Sequence, residues 1–181
     1  MKRLGLDRVW WLVTPGNPLK ATDDLPPLDE RVAAARAVAN HPRIDVTDIE
    51  ARLGTRYSID TLRALKRRYK GTHFVWLMGA DNLLNFHRWK SWKAIAAVVP
   101  IAVIDRGLVG LRAFAARAPR ALSRWRLPEG AANHLALRKP LAWLFLHGLR
   151  LPLSSTALRA AQVSHKGRAK ARKQDIRTAG G

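Results

Sequence analysis

The sequence predicts an α/β fold built on a mainly parallel sheet. Short β-branched and aromatic runs recur along the chain, and stretches with helical apolar spacing separate them. Proline, glycine and asparagine punctuate the joins. The 181 residues suit one compact domain, and a composition of 48% hydrophobic and 25% charged residues excludes a wholly disordered chain.

Val9-Trp10-Trp11-Leu12-Val13-Thr14 reads as a buried strand, stopped by the turn residues Pro15-Gly16-Asn17-Pro18. After Pro26-Pro27, Asp29 is placed to cap a helix with the apolar stripe Val32, Ala35, Val38 and Ala39, ending near Asn40-His41-Pro42. Ile44 and Val46 alternate with polar neighbours, as in a second strand. Ser58 precedes Ile59, Leu62, Leu65 and Tyr69, a helical spacing with Asp60 in the first turn and Gly71 at the end. His73-Phe74-Val75-Trp76-Leu77-Met78 is nearly all apolar, as expected of a central parallel strand buried on both faces. Val98 to Ile104 is a further strand, which Pro100 confines to an edge or to its own start. Residues 107–140 suggest irregular connections around a short helix, and Leu141 to His147 fits a strand or a helix equally. Ser154-Ser155-Thr156 opens a last helix reaching about Gln162. Residues 1–163 are thus expected to form the domain, and 164–181 a disordered basic tail with six Lys/Arg against Asp175.

The 33 Lys+Arg against 13 Asp+Glu give a net charge of +20, which favours polyanionic or phosphorylated partners and says nothing about fold. Cysteine is absent, so disulfide scaffolds, thiolate metal sites and cysteine nucleophiles are excluded. No apolar run approaches the roughly 20 residues that span a bilayer. Met1 to Arg8 is too charged for a signal peptide, so a cytoplasmic location is expected.

Ligands of open α/β sheets sit outside the carboxyl ends of the strands. Three polar clusters fall there: Thr14 to Lys20, Gly79-Ala80-Asp81-Asn82, and Ser154-Ser155-Thr156-Ala157-Leu158-Arg159. The last could cradle phosphate at a helix start with Arg159 assisting, or be an ordinary N-cap. Asp81 could meet a ribose or cap the next helix. Phe86, Trp89 and Trp92 are spaced for one helical face, which is usually core; one ring could instead stack on a planar ligand beside Arg88 and Lys90. The histidines show no metal-ligand spacing, and no metal residue is assigned. No phosphate loop, Gly-x-Gly-x-x-Gly turn or Gly-x-Ser-x-Gly elbow is present.

Gly79-Ala80-Asp81-Asn82-Leu83-Leu84-Asn85-Phe86-His87-Arg88-Trp89-Lys90-Ser91-Trp92 closely resembles the signature of the bacterial nicotinate-nucleotide adenylyltransferases. Tyr57-Ser58-Ile59-Asp60-Thr61-Leu62, Asn17-Pro18-Leu19-Lys20 and Ser154-Ser155-Thr156-Ala157-Leu158-Arg159 agree in order and spacing, so the resemblance covers about residues 5–163. It implies a Rossmann-like nucleotidyltransferase fold that joins ATP to nicotinate mononucleotide, giving deamido-NAD and pyrophosphate with Mg2+ assisting. By that analogy Trp89 stacks on the pyridine ring, backbone groups near Ser58 and Lys90 meet its carboxylate, and Asp81 contacts the nucleotide. Ser154, Ser155, Thr156 and Arg159 would hold the ATP phosphates, with Asn17 and Lys20 lining the ATP side.

One departure stands out. Members of that family open with a strand, a turn carrying His-x-Gly-His, and a helix; no His-x-Gly-His occurs here, so no catalytic residue is assigned. A first strand–helix unit on the order of thirty residues is expected to be missing, leaving unpaired sheet edges. The intact remaining motifs favour a true start upstream of Met1 over a truncated remnant. A chain starting at Met1 is expected to be weakly active at best. The alternative reading is a non-enzymatic, basic nucleic-acid-binding protein, against which the arginines are spread along the whole chain.

Overall fold

The computed structural model describes residues 1–16, 25–105, 107 and 110–147. Five strands, Val9–Leu12 (β1), Ile44–Thr47 (β2), Trp76–Gly79 (β3), Ile101–Ile104 (β4) and Trp143–Leu146 (β5), pair only in parallel. They form two sheets, β1-β2 and β3-β4-β5. Among the described residues β1, β2, β3 and β5 each pair on one side only, and β4 on both. Helices Leu28–Val38 (α1), Ile49–Arg52 (α2), Ser58–Arg68 (α3), Ala80–Asn85 (α4), Trp92–Val98 (α5) and Arg117–Ala121 (α6) connect the strands with several 3-10 turns. The alternation of strand and helix is the α/β architecture expected from the sequence.

The centre of the larger sheet is β4. Its Ile101, Ala102 and Val103 are buried, as a parallel strand covered on both faces requires. This corrects the expectation that the segment His73–Met78 is the central strand. The ladder begins only at Trp76, and Trp76 and Leu77 stay half-exposed at the sheet edge. Phe74 serves differently: its ring meets those of Trp10 and Tyr69 at 5.8 and 6.4 Å. Pro100 ends up at the start of β4, where its missing N–H costs nothing and its carbonyl accepts from the Trp76 N–H at 2.9 Å. The preceding residues to Val98 are helical, not strand. Leu141–His147 resolves as the strand β5, wholly buried over Trp143–Leu146.

The amphipathic α3 buries Ile59, Leu62 and Leu65, and Gly71 follows it at φ 83°. In α1, Pro27 occupies the N-cap position and Asp29 falls within the first turn, so Asp29 is not the cap. Val38 is 70% exposed, so the buried stripe of α1 is Val32 and Ala35 alone. Phe86, Trp89 and Trp92 do not share a helical face either. Phe86–Arg88 is a 3-10 turn, Trp89 is extended at φ −71° and ψ 143°, and α5 starts at Trp92. The expected tail, 164–181, lies outside the described residues. No helix among the described residues is long and apolar enough to cross a membrane.

The amino-terminal turn Lys2–Leu4 packs on the 3-10 segment Glu129–Leu137. Arg3 pairs with Glu129, whose other carboxylate oxygen meets His147 Nδ1 at 2.8 Å at the end of β5. Gly5 closes this turn at φ 60°, and a Cβ there would lie 2.8 Å from the Asn133 carbonyl oxygen. Gly5→Ala is therefore expected to destabilise the protein by at least about 1–2 kcal/mol, from left-handed strain plus a backbone clash. Thermal unfolding checks this, at about 2–4 °C of Tm per kcal/mol for a chain of this size.

Candidate active site

A cavity of about 560 Å³ opens between the two sheets, lined from β1 by Leu12 and from β3 by Trp76. Thr14 and Gly16 follow the carboxyl end of β1 and form part of its wall. Their loop is clamped from α1: the Arg31 guanidinium donates to the Thr14 carbonyl at 2.8 Å and the Pro15 carbonyl at 3.1 Å. The Thr14 hydroxyl donates to the Gly16 carbonyl at 2.9 Å.

The opposite wall comes from Arg56, Tyr57 and Ser58, the entry to α3, and from Arg88, Trp89 and Lys90, the connection to α5. Ser58 is the first residue of α3, so the cavity meets a helix N-terminus, whose free N–H groups carry partial positive charge. Lys90 Nζ sits 4.0 Å from the centre of the Tyr57 ring and 3.8 Å from Asp60 Oδ2, which joins the two segments. Both contacts are solvent-facing and individually weak. Three cations, Arg56, Arg88 and Lys90, line the cavity against the single carboxylate of Glu50. Positive charge therefore predominates on the cavity walls.

Trp89 is half-buried in this wall. Its ring meets Trp76 at 6.2 Å and Phe86 at 5.5 Å, both edge to face. The connection is sharply bent: Ser91 adopts φ 51° and ψ 40°, and its carbonyl receives the Ala94 and Ile95 N–H groups that start α5. A serine in the left-handed region is costly, and such backbone positions concentrate at functional segments. Here the bend turns the chain between Lys90, which lines the cavity, and Trp92, which packs on Phe86 at 5.8 Å.

Of the residues singled out from the sequence, Ser58, Trp89 and Lys90 are brought together in the cavity. Asp81 is not among the lining residues: Gly79 is the N-cap of α4, Asp81 lies in the first turn, and its neighbour Asn82 reaches the cavity. Asn17, Lys20, Ser154, Ser155, Thr156 and Arg159 lie outside the described residues. Glu50 and Arg56 were not expected. Arg56 directly precedes the Tyr57-Ser58 motif and is a plain surface arginine by composition, while Glu50 lies in a short polar stretch with no periodicity to reveal its burial. Among the described residues no group of three or more His, Asp or Glu side chains could hold a metal ion.

The cytidylyltransferase-like family description matches residues 1–161. A probable nicotinate-nucleotide adenylyltransferase of Bradyrhizobium sp. (strain BTAi1) is 57% identical over 166 residues, covering 92% of this chain and 86% of the relative. A protein described in the same words from Methylorubrum extorquens is 58% identical over 159 residues, 88% of this chain and 86% of the relative. Another, from Ruegeria pomeroyi, is 50% identical over 179 residues, 97% of this chain and 83% of its own. A parallel α/β fold, a cationic cavity at a strand end and similarity running along nearly the whole chain agree: the chain belongs to the cytidylyltransferase-like family, in its nicotinate-nucleotide adenylyltransferase branch.

Proposed function

We propose that the chain transfers the adenylyl group of ATP to nicotinate mononucleotide in the cytoplasm, yielding deamido-NAD and pyrophosphate for NAD synthesis. The observation that carries this reading is the meeting of Trp89 with Arg56, Arg88, Lys90 and the start of α3 in one cavity. An aromatic face suits a pyridine ring, and cations beside a helix N-terminus suit its carboxylate and phosphate. The descriptions of the relatives point to the same substrate pair and favour it over a nucleic-acid-binding role.

In this reading Trp89 stacks on the pyridine ring, backbone groups near Ser58 and Lys90 receive the carboxylate, and Asp81 contacts the nucleotide. Asn17 and Lys20 line the ATP side, and Ser154, Ser155, Thr156 and Arg159 hold its phosphates. A phosphate oxygen of nicotinate mononucleotide attacks the α-phosphorus of ATP. The bond to the bridging oxygen of the β-phosphate breaks, and pyrophosphate leaves with that electron pair. No protein nucleophile is needed; the chain aligns the two phosphates and stabilises charge on the phosphoryl oxygens. Magnesium accompanies ATP in this reading, as the MgATP substrate. No side chain is assigned as catalytic, because the sequence holds no His-x-Gly-His.

Incubating the 181-residue protein with MgATP and nicotinate mononucleotide tests the reading. Deamido-NAD and pyrophosphate are expected in equal amounts and only when both substrates are present. Enzyme near substrate concentration makes even slow turnover measurable. A folded protein that forms neither product under those conditions refutes the activity.

A further inference from the structure

Glu50 is the only acidic or basic side chain among the described residues that is buried, at 7% exposure, and it lines the cavity. A buried carboxylate normally needs a cation or several hydrogen bonds. No described cation pairs with it; instead Oε1 accepts from the Thr61 hydroxyl at 3.2 Å. Thr61 is itself fully buried. Its oxygen lies 2.8 Å from the Thr55 hydroxyl and 3.3 Å from the Tyr57 carbonyl.

A hydroxyl has one proton to give. If Thr61 spends it on Glu50, the short contact with Thr55 requires Thr55 to be the donor. The network then has one direction: Thr55 to Thr61 to Glu50. The backbone reinforces it, because the Glu50 carbonyl accepts from the Thr55 N–H at 2.9 Å. These bonds fasten the loop that delivers Arg56, Tyr57 and Ser58 to the cavity wall. Without an acceptor at position 50, the Thr61 hydroxyl would be left with the Tyr57 carbonyl one helical turn behind it, and the side-chain tie from α2 to the first turns of α3 would be lost.

We propose that Glu50 is a positioning residue for the pyridine-nucleotide half of the site, acting through Thr61 and Thr55 to hold Arg56, Tyr57 and Ser58 in place. The proposal rests on the functional reading above. It requires position 50 to accept a hydrogen bond and does not require it to be charged.

The test is calorimetric titration of the 181-residue protein with nicotinate mononucleotide and, separately, with ATP. Glu50→Ala and Thr61→Val are each expected to weaken the mononucleotide several-fold, because a loosened Arg56–Ser58 segment must be ordered when it binds, with ATP affinity unmoved. Glu50→Gln keeps the acceptor and is expected to recover most of what Glu50→Ala loses. Equal weakening by Glu50→Gln and Glu50→Ala would overturn the proposal, as would parallel loss of ATP and mononucleotide binding. If Glu50→Ala does not fold, an unaltered mononucleotide affinity in Thr61→Val overturns it just as well. A wild-type protein that fails to bind the mononucleotide overturns the functional reading and this proposal together; a binding wild type with unaffected variants overturns this proposal alone.

Discussion

Phe86→Ala is expected to remove about 3–5 kcal/mol of folding stability, a large fraction of the roughly 5–15 kcal/mol available to a domain. Phe86 is 0% exposed and stands where the Trp89 and Trp92 rings converge, at 5.5 and 5.8 Å. Its loss empties a ring-sized volume under both tryptophans, and the surrounding strands and α5 cannot close it without giving up their own contacts. Urea unfolding measures the effect as a fall in the midpoint at constant slope. A loss below about 1 kcal/mol would mean that the site collapses freely, contrary to the tight packing of protein interiors.

The second large effect is on binding. Trp89→Ala is expected to weaken nicotinate mononucleotide by about five- to 150-fold, the equivalent of the 1–3 kcal/mol that one stacked base is worth. ATP affinity should change little, and Trp89→Phe should retain much of the stacking. Because Trp89 also packs on Phe86 and Trp76, each variant's Tm is needed beside its affinity. Unchanged affinity in a folded Trp89→Ala protein would remove the stacking role.

The sequence made the element types legible wherever a period or a breaker was strong. The spacing of Ile59, Leu62 and Leu65 marked α3, and Ile44 and Val46 marked β2. The apolar run at His73–Met78 was misplaced for a physical reason. Apolarity reports burial and not pairing, and Phe74 is covered by the Trp10 and Tyr69 rings without joining a ladder. The aromatic triplet failed differently: a spacing of three fits a helix, but the extended Trp89 and the left-handed Ser91 interrupt the helical path before Trp92 while both rings still reach Phe86. At the site, the Trp89-Lys90 and Tyr57-Ser58 segments carried their own signal. Glu50 did not, since its partners Thr55 and Thr61 are ordinary residues until the loop folds back and buries Glu50 and Thr61 with Thr55 partly covered beside them.

The central claim is that nicotinate mononucleotide occupies the cavity between the two sheets. A crystal structure of the protein soaked with that nucleotide tests it most directly. The pyridine ring is expected over Trp89 with ring centres about 4.5–7 Å apart, and its carboxylate at the start of α3 beside Ser58 and Lys90. A nucleotide bound elsewhere, or a ring turned away from Trp89, would contradict the account.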